Sequence, residues 1–358
     1  MKRSSQIDIV QPHLKTLYIR DTSHSSDRAF SEHSVSFSPD CTVYDQEHKN
    51  ITQTNSSISD IYIEFKLKAE EDAFITNISD KLSVSDSLMN QTTRGVSTAG
   101  QITTYAALQL ESQYRTHVFS VLILGDYARL IRWDRSGAIV TAPIRYRHDP
   151  ELMDFFTRYD QAERPVRGHD STVRVATPAE AQKARCADST FPTSQKLLVV
   201  TVPHQDCISK CSNYVIKPPA VRFYTPPGRA TRTSIAYDLR RNHVVFFKDS
   251  WRVACDKVLR EGEVYATLNN AGVPNIPRCS ASGDVGDDTY HSTNTNQFAK
   301  ASWAMKRTHT FTPHRHHRLI LDDIGKNLDT FRCSKEMVCA IRAALTGAYP
   351  TLSTSLQC

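Results

Sequence analysis

A lysine ends one of the most apolar stretches of the chain, the string HVVFFK at residues 243–248. This string and TSIAYDL at 233–239 are short runs rich in β-branched and aromatic residues, and the turn RRN separates them. Such runs predict two strands of a hairpin. Taken alone, Lys248 indicates only an edge strand whose ammonium group reaches solvent.

The segment that follows, VLREGEVYATLNNAGVPNIP at residues 258–277, predicts a helix that stops at a Gly and a Pro. Glu261, Val264, Tyr265 and Leu268 stand at i, i+3, i+4 and i+7, so a carboxylate shares the predicted core-facing stripe. A carboxylate in that position is costly unless it is paired, and Lys248, thirteen positions earlier on the adjoining strand, is the natural partner. In protein kinases such a pair fixes the lysine against the nucleotide phosphates.

A further apolar strand is predicted in HRHHRLILDDIGKNLDTF, residues 314–331. The strand runs into Asp322, Asp323, Ile324 and Gly325, and a helix is expected after them. This order resembles a kinase hinge, in which the backbone rather than a side chain recognises adenine.

Six strings carry a closer resemblance: GRATR, FFKDSWR, REGEVYATLNNAGVPNIP, HHRLILDDIGKNL, the long string GQITTYAALQLESQYRTHVFSVLILGDYARLIRWDRSGAIVTAPI, and RGHDSTV. Together they closely resemble the fungal-type protein kinase family of mushroom-forming fungi, over residues 35 to 345. The resemblance implies a serine/threonine kinase with ATP as cofactor and a protein as substrate. The residues that it implies for ATP are Lys248, its partner Glu261, the phosphate-covering turn Gly228–Arg232 with Arg229 and Thr231, and the hinge Leu321–Gly325 with Asp322 and Asp323.

The family pattern continues into a His-Arg-Asp loop and a magnesium-binding loop, but neither HRD nor DFG occurs in the 358 residues. Phosphoryl transfer needs an Asp that accepts the substrate proton, and an Asn and an Asp that hold the metal ions. The sequence therefore predicts a pseudokinase truncated before the catalytic loop, with at most weak or vestigial ATP binding. The last apolar helix is expected to expose Met337, Val338, Ile341 and Leu345.

The first half of the chain carries a second set of polar residues. Asp40, then Glu64 and Lys66 in YIEFK, then Gln101 at the start of a predicted helix, follow the order of the restriction-endonuclease-like fold. Glu64 and Lys66 are two apart on a strand, so they face the same side of the sheet. Asp40 and Glu64 are candidate ligands for Mg²⁺ or Mn²⁺, and Lys66 could orient or activate water for attack on a phosphodiester. The alternative is a surface ion pair on a scaffold without this chemistry.

The expected fold class is α+β, with an incomplete kinase fold at the carboxyl end. Four segments are predicted: a loose arm at 1–34, a restriction-endonuclease-like domain at 35–165, a connector at 166–220, and a kinase-like small lobe with hinge and one further helix at 221–358. Three functions stay open: kinase-like ATP binding, a metal-dependent nuclease-like or nucleic-acid-binding domain beside an inert kinase remnant, and a non-catalytic interaction protein.

Composition excludes several classes of protein. There is no apolar run near the roughly 18 residues of a membrane span and no signal-peptide pattern, so no membrane association is expected. Nine cysteines without regular spacing indicate reduced thiols and a cytoplasmic or nuclear location. The net charge of +6 is spread along the chain, so charge does not indicate nucleic-acid binding.

Two groups of residues lack the spacing of a zinc site and are expected in exposed loops: His309, His314, His316 and His317, and His204, Cys207 and Cys211.

Overall fold

The computed structural model describes residues 10–27, 37–75, 88–205, 207–220, 225–286, 291–301, 304 and 311–355. The chain divides into two compact units, each assembled from separate stretches of sequence. The first unit comprises Met1–Ser171, Pro219–Ala230 and Asp287–His314, and the second comprises Thr172–Pro218, Thr231–Gly286 and Arg315–Cys358. The described residues form two β-sheets and five α-helices, as expected for a mixed α and β protein.

The first unit is built on a six-stranded sheet in which the strands lie in sequence order. All neighbouring pairs are antiparallel except β3 and β4, which are parallel. The strands are β1 Leu17–Asp21, β2 Cys41–Asp45, β3 Ser59–Lys66, β4 His117–Leu124, β5 Tyr127–Asp134 and β6 Gly137–Val140.

Helices cover both faces of this sheet. Helix α1, Thr93–Ser112, makes the crossover that parallel β3 and β4 require, and its side chains pack with Val118 and Leu122. Helix α2, Glu151–Gln161, packs with Ile61 and Val121 in a separate cluster. Because both faces are covered, β3 and β4 are buried almost throughout, although β3 carries Asp60 and Glu64 as well as apolar residues.

The prediction that residues 1–34 form a loose arm was wrong for part of the segment. Leu17 and Ile19 are buried, and β1 pairs with β2. The carboxylate of Asp160, at the end of α2, accepts hydrogen bonds from the backbone N–H groups of Lys15, Thr16 and Leu17 at 3.0, 2.9 and 2.9 Å. A partner about 145 residues away thus orders the segment, and local sequence does not reveal it.

The second unit is built on a seven-stranded sheet in the order β12-β13-β11-β10-β9-β8-β7. Its helices are α3 Pro178–Ala187, α4 Glu261–Asn270 and α5 Ser334–Ser355. Its strands are β7 Val173–Val175, β8 Leu198–His204, β9 Cys207–Ile216, β10 Arg232–Asp238, β11 His243–Val253, β12 Cys279–Asp284 and β13 His314–Leu321.

The segment expected to be a connector, 166–220, supplies three strands and a helix to this second unit. Strand β9 pairs with β10 and extends the sheet beyond the predicted hairpin. The apolar residues of the segment, Phe191, Leu197 and Val199 among them, bury together with Tyr237 of β10. The segment therefore belongs to the core of the second unit.

The histidines near residue 315 are not exposed loop residues as expected. His316 and His317 are buried on β13. The His316 ring stacks on Trp251 with centroids 4.9 Å apart, and its Nε2 lies 2.9 Å from Asp249 Oδ2, which also accepts from Arg318 Nε at 2.9 Å. Arg318 can be buried because the Asp249 carboxylate on the neighbouring strand faces it.

The other histidines and cysteines that were predicted to lie in exposed loops differ in their exposure. His314 is buried, Cys211 is exposed as expected, and His204 Nε2 lies 2.9 Å from Ser212 Oγ. His309 and the side chain of Cys207 lie outside the described residues.

On helix α5, Val338, Ile341 and Leu345 are exposed as expected, whereas Met337 is partly buried. Of the helices described, none has both the length and the apolar character needed to cross a membrane.

The contact between Asp160 and strand β1 yields a stability prediction. Burial opposes ionisation of Asp160, but the bonds from the backbone N–H groups of Lys15 and Thr16 outweigh it and lower its pKa. Replacing Asp160 by Asn should cost about 2 kcal/mol in the free energy of unfolding, because charge-assisted bonds are lost. Urea unfolding measures the loss, and faster amide exchange at Thr16 and Leu17 would localise it. Asp154→Asn, an exposed site on the same helix, is the control; equal losses in both variants would contradict the prediction.

Candidate functional site

The predicted ion pair between Lys248 and Glu261 forms in the second unit. Lys248 Nζ lies 2.7 Å from both Glu261 Oε1 and Oε2. The two side chains are 22% and 28% exposed, so the pair is desolvated but reachable from solvent. Lys248 is on β11 opposite Thr233 of β10, and Glu261 is the first residue of α4. The pair therefore joins the sheet to the helix.

The local sequence explains why the carboxylate is presented there. Arg260 precedes the helix in an extended conformation, and its backbone N–H donates to Glu263 Oε2 at 2.7 Å, which caps the first turn. Glu261 thus occupies the first turn, where the positive end of the helix dipole stabilises a carboxylate.

The predicted core-facing stripe of this helix agrees with the structure only in part, since Glu261, Tyr265 and Leu268 are half-buried. Val264 is 39% exposed, and Gly262 is the residue of α4 that the structure buries. The helix turns a face centred on Gly262 toward the sheet, because a residue without a side chain permits the closest approach.

The residues predicted to form a hinge lie at the end of β13 and just after it. Leu321 is its last residue and is buried. Asp322 Oδ1 lies 2.8 Å from Arg241 Nη1, and Asp323 Oδ2 accepts from the backbone N–H of Arg278 at 3.1 Å. Both aspartate side chains thus anchor the segment to its neighbours. Adenine recognition by this segment stays a prediction.

The predicted phosphate-covering turn is divided between the two units. Gly228 and Arg229 belong to the first unit and Thr231 to the second. The Gly228 backbone N–H donates to the Arg135 carbonyl at 2.9 Å, and its φ of +118° is one that glycine adopts without strain. The role of this turn in ATP binding stays a prediction.

Comparison with known proteins bears on both units. A sequence model of the family described as fungal protein kinase matches residues 58–354. The chain belongs to the fungal protein kinase family. This confirms the family inferred from the shared strings. The match begins just before β3, so the family sequence extends over strands of the first unit as well as the second. No curated protein and no solved structure gives a significant match.

In the first unit, the residues of the predicted nuclease-like set come together. Lys66 Nζ lies 2.6 Å from Glu64 Oε1 and 2.9 Å from Gln101 Oε1. The register pairs Cys41 with Ile63, which places Asp40 beside the end of β3, where its Oδ2 accepts from the Phe65 N–H at 2.8 Å. Burial and the negative charge of Asp40 raise the pKa of Glu64, and Lys66 partly offsets this.

Sequence reasoning missed Tyr105 in this site. Its hydroxyl accepts a hydrogen bond from Gln101 Nε2 at 2.7 Å, which directs the amide oxygen of Gln101 toward Lys66. Burial and the charge of Glu64 raise the pKa of Tyr105, so the hydroxyl stays neutral at physiological pH. The i, i+4 spacing of Gln101 and Tyr105 on a helix was the available signal.

The family string RGHDSTV belongs to a buried network of charges. Asp60 Oδ1 lies 2.8 Å from Arg115 Nη2 and 3.2 Å from His169 Nε2. Gly168 has φ +97°, and a Cβ there would lie 2.0 Å from the His117 carbonyl oxygen. Gly168 and His169 of this string are therefore explained by folding of the first unit.

His169 gives this network a pH dependence. Burial and the charge of Arg115 lower its pKa from 6.5 to about 4. Between these values the unfolded chain binds a proton that the folded chain does not, so stability falls as pH falls, by up to about 3 kcal/mol for this group. Urea unfolding of His169→Asn between pH 4.5 and 7.5 should show a shallower dependence than the native chain. An unchanged slope would show that His169 does not contribute.

Proposed function

We propose that the second unit binds the phosphates of ATP through Lys248, with Glu261 holding the lysine in place. The observation that supports this most directly is the pair of 2.7 Å contacts from Lys248 Nζ to the two carboxylate oxygens. Protein kinases use a strand lysine paired with a helix glutamate in this way, and the chain belongs to a kinase family.

The chemistry of the pair suits a phosphate ligand. An ammonium group has three N–H donors, and two bonds to Glu261 leave one to share with a phosphate oxygen. Because the pair is largely desolvated, its charge is less screened than that of a surface lysine. Ligand binding does not require the lysine to be ordered first, since Glu261 already orders it.

The segment after β13 supports the same proposal. Gly325 is exposed, no atom lies within 4 Å of the position that a Cβ would take there, and Ile324 is 39% exposed. A hinge needs accessible backbone for adenine and an apolar neighbour for its ring. Leu321–Gly325 offers both in one stretch of chain.

For this chain the proposal is limited to nucleotide binding. The 358 residues contain neither an HRD nor a DFG string, which in kinases supply the proton acceptor and a magnesium ligand. Lack of phosphoryl transfer by residues 1–358 stays a prediction.

Replacement of Lys248 tests ATP binding. Lys248→Ala should weaken binding of a fluorescent ATP analogue at least tenfold, because a charge-assisted contact to phosphate is lost. Lys257→Ala, an exposed lysine of the same unit, is the matched control and should bind like the native chain. Equal affinity in Lys248→Ala would refute the proposed site. Transfer of phosphate to a generic serine/threonine substrate by the native chain would refute inactivity.

A second proposal concerns the first unit, and the convergence of Asp40, Glu64, Lys66 and Gln101 favours it. We propose that Asp40 and Glu64 bind a divalent cation, Mg²⁺ or Mn²⁺, and that the site acts on phosphodiesters of nucleic acid. Glu64 Oε2 is buried and accepts no hydrogen bond from the described residues. Two carboxylates close enough to raise a pKa gain most from a cation between them.

The neighbouring residues fit such a site. Lys66 and Gln101 lie on the same side of the sheet as Glu64 and could orient a water molecule, while a bound cation would make that water a stronger nucleophile. The parallel strands β3 and β4 with α1 between them agree with the restriction-endonuclease-like fold expected from sequence. That fold assignment stays a prediction.

Metal binding and cleavage test this second site. Glu64→Gln should abolish Mn²⁺-dependent cleavage of DNA, with a loss of at least about 100-fold, and should remove the rise in melting temperature caused by Mn²⁺. Because the pKa of Glu64 is raised, protons should compete with Mn²⁺ from a higher pH than at an exposed glutamate.

Glu47→Gln is the control, since Glu47 is 74% exposed in the same unit. Cleavage that survives in a variant lacking both Glu64 and Lys66 would exclude the site. If the native chain neither binds nucleotide nor responds to Mn²⁺, the third possibility remains, a non-catalytic interaction protein.

A further inference from the structure

Helix α4 approaches the sheet of the second unit most closely at Gly262. A Cβ built on Gly262 would lie 1.8 Å from Ser282 Oγ and 2.6 Å from Ser282 Cβ on β12. The hydroxyl could rotate away, but the Ser282 Cβ is fixed to the strand. Any larger residue at 262 therefore forces the helix away from the sheet.

A second contact holds the same end of the helix. Gln205, just after β8, donates from Nε2 to Glu263 Oε1 at 2.8 Å. Ser282 Oγ donates to Gln205 Oε1 at 3.3 Å. Gly262, Ser282 and Gln205 are here called the helix seat.

A cavity opens beside the helix seat, between the helix and the sheet. The cavity, of about 320 Å³, is lined by Gly262, Ala266 and Thr267 on the helix side, by Ser280, Ala281 and Ser282 on β12, and by Gln205. Ala266 and Thr267 are exposed and can take added bulk, whereas a Cβ on Gly262 is directed at Ser282. The distance between helix and sheet is thus set at the end of α4 that carries Glu261.

The helix seat determines the position of Glu261, because Glu261 and Gly262 are adjacent in the first turn of α4. Both oxygens of Glu261 lie 2.7 Å from Lys248 Nζ, close to the shortest distance for such a bond. With both side chains in their present conformations, a displacement of the helix by about 1 Å away from Lys248 would lengthen these contacts beyond hydrogen-bonding distance.

We infer that Gly262 is a positioning residue for the Lys248–Glu261 pair and, through it, for ATP binding. This inference rests on the proposed function of the pair. Because residue 262 has no side chain, α4 can pack directly against Ser282. This close packing brings Glu261 within hydrogen-bonding distance of Lys248.

Gly262→Ala tests the inference. It should weaken binding of the fluorescent ATP analogue about tenfold, and Ser282→Gly in the same chain should restore affinity by removing the atoms that an added Cβ meets. Ala266→Leu, which adds bulk on the same helix toward the cavity, should bind like the native chain. Native-like affinity in Gly262→Ala would overturn the inference, and so would a failure of Ser282→Gly to rescue it.

Two further measurements separate positioning from general loss of stability. In a Glu261→Gln background, Gly262→Ala should cause no additional loss of affinity, because the residue acts through Glu261; an undiminished loss would refute this. The NMR signal of the Lys248 ammonium group, recorded without nucleotide, should lose its protection from exchange in Gly262→Ala. Unchanged protection would also refute the inference.

If Gly262→Ala does not fold, Gln205→Ala removes the second contact without adding atoms and should give a smaller loss in both measurements. No loss in either would overturn the inference. The proposed function is tested separately: it fails if Lys248→Ala binds ATP with the same affinity as the native chain. A change in the ammonium signal can still be observed in that case, so the two failures are distinguishable.

Discussion

Pairing of buried charges is the constraint on which both units depend. Buried carboxylates face arginines: Asp60 faces Arg115, Asp72 faces Arg129, and Asp249 faces Arg318. Breaking such a pair leaves an uncompensated charge in a medium of low dielectric, which costs several kcal/mol. The Asp249–Arg318 pair therefore favours β11 and β13 as neighbours, and the three pairs explain why charged residues occur inside buried strands.

The two candidate sites differ from this pattern because they use lysine. Lys248 faces Glu261 and Lys66 faces Glu64. A guanidinium forms a rigid fork that a carboxylate can satisfy, whereas an ammonium is a compact charge with three donors that it can share between a protein carboxylate and a ligand oxygen. The exposed fractions agree with this division of roles, since Arg115 and Arg318 are 0% exposed while the side chains of Lys66 and Lys248 are 18% and 22% exposed.

Much of the fold could be predicted because its elements depend on local sequence. The strands β3, β4 and β5, helix α3, and the β10–β11 hairpin lie close to where their apolar patterns place them. The candidate sites were predictable for the same reason: Glu64 and Lys66 share a face through the two-residue period of a strand, and Lys248 and Glu261 lie on consecutive elements. The start of α1 at Thr93 rather than at Gly100 was not predictable from apolar spacing, because its first turn is capped by Thr92 and is largely exposed.

The sequence by itself determined the strand and helix pattern, the family, and the charges that had to be paired. Only the tertiary structure decided that β1 joins the first sheet through Asp160, that residues 172–218 belong to the second unit, and that His316 and His317 are buried. It also decided that Gly262, rather than Val264, faces the sheet. Periodicity records which side chains share a face, but the partner of that face is set by contacts between residues far apart in sequence, whose energies depend on burial and close packing.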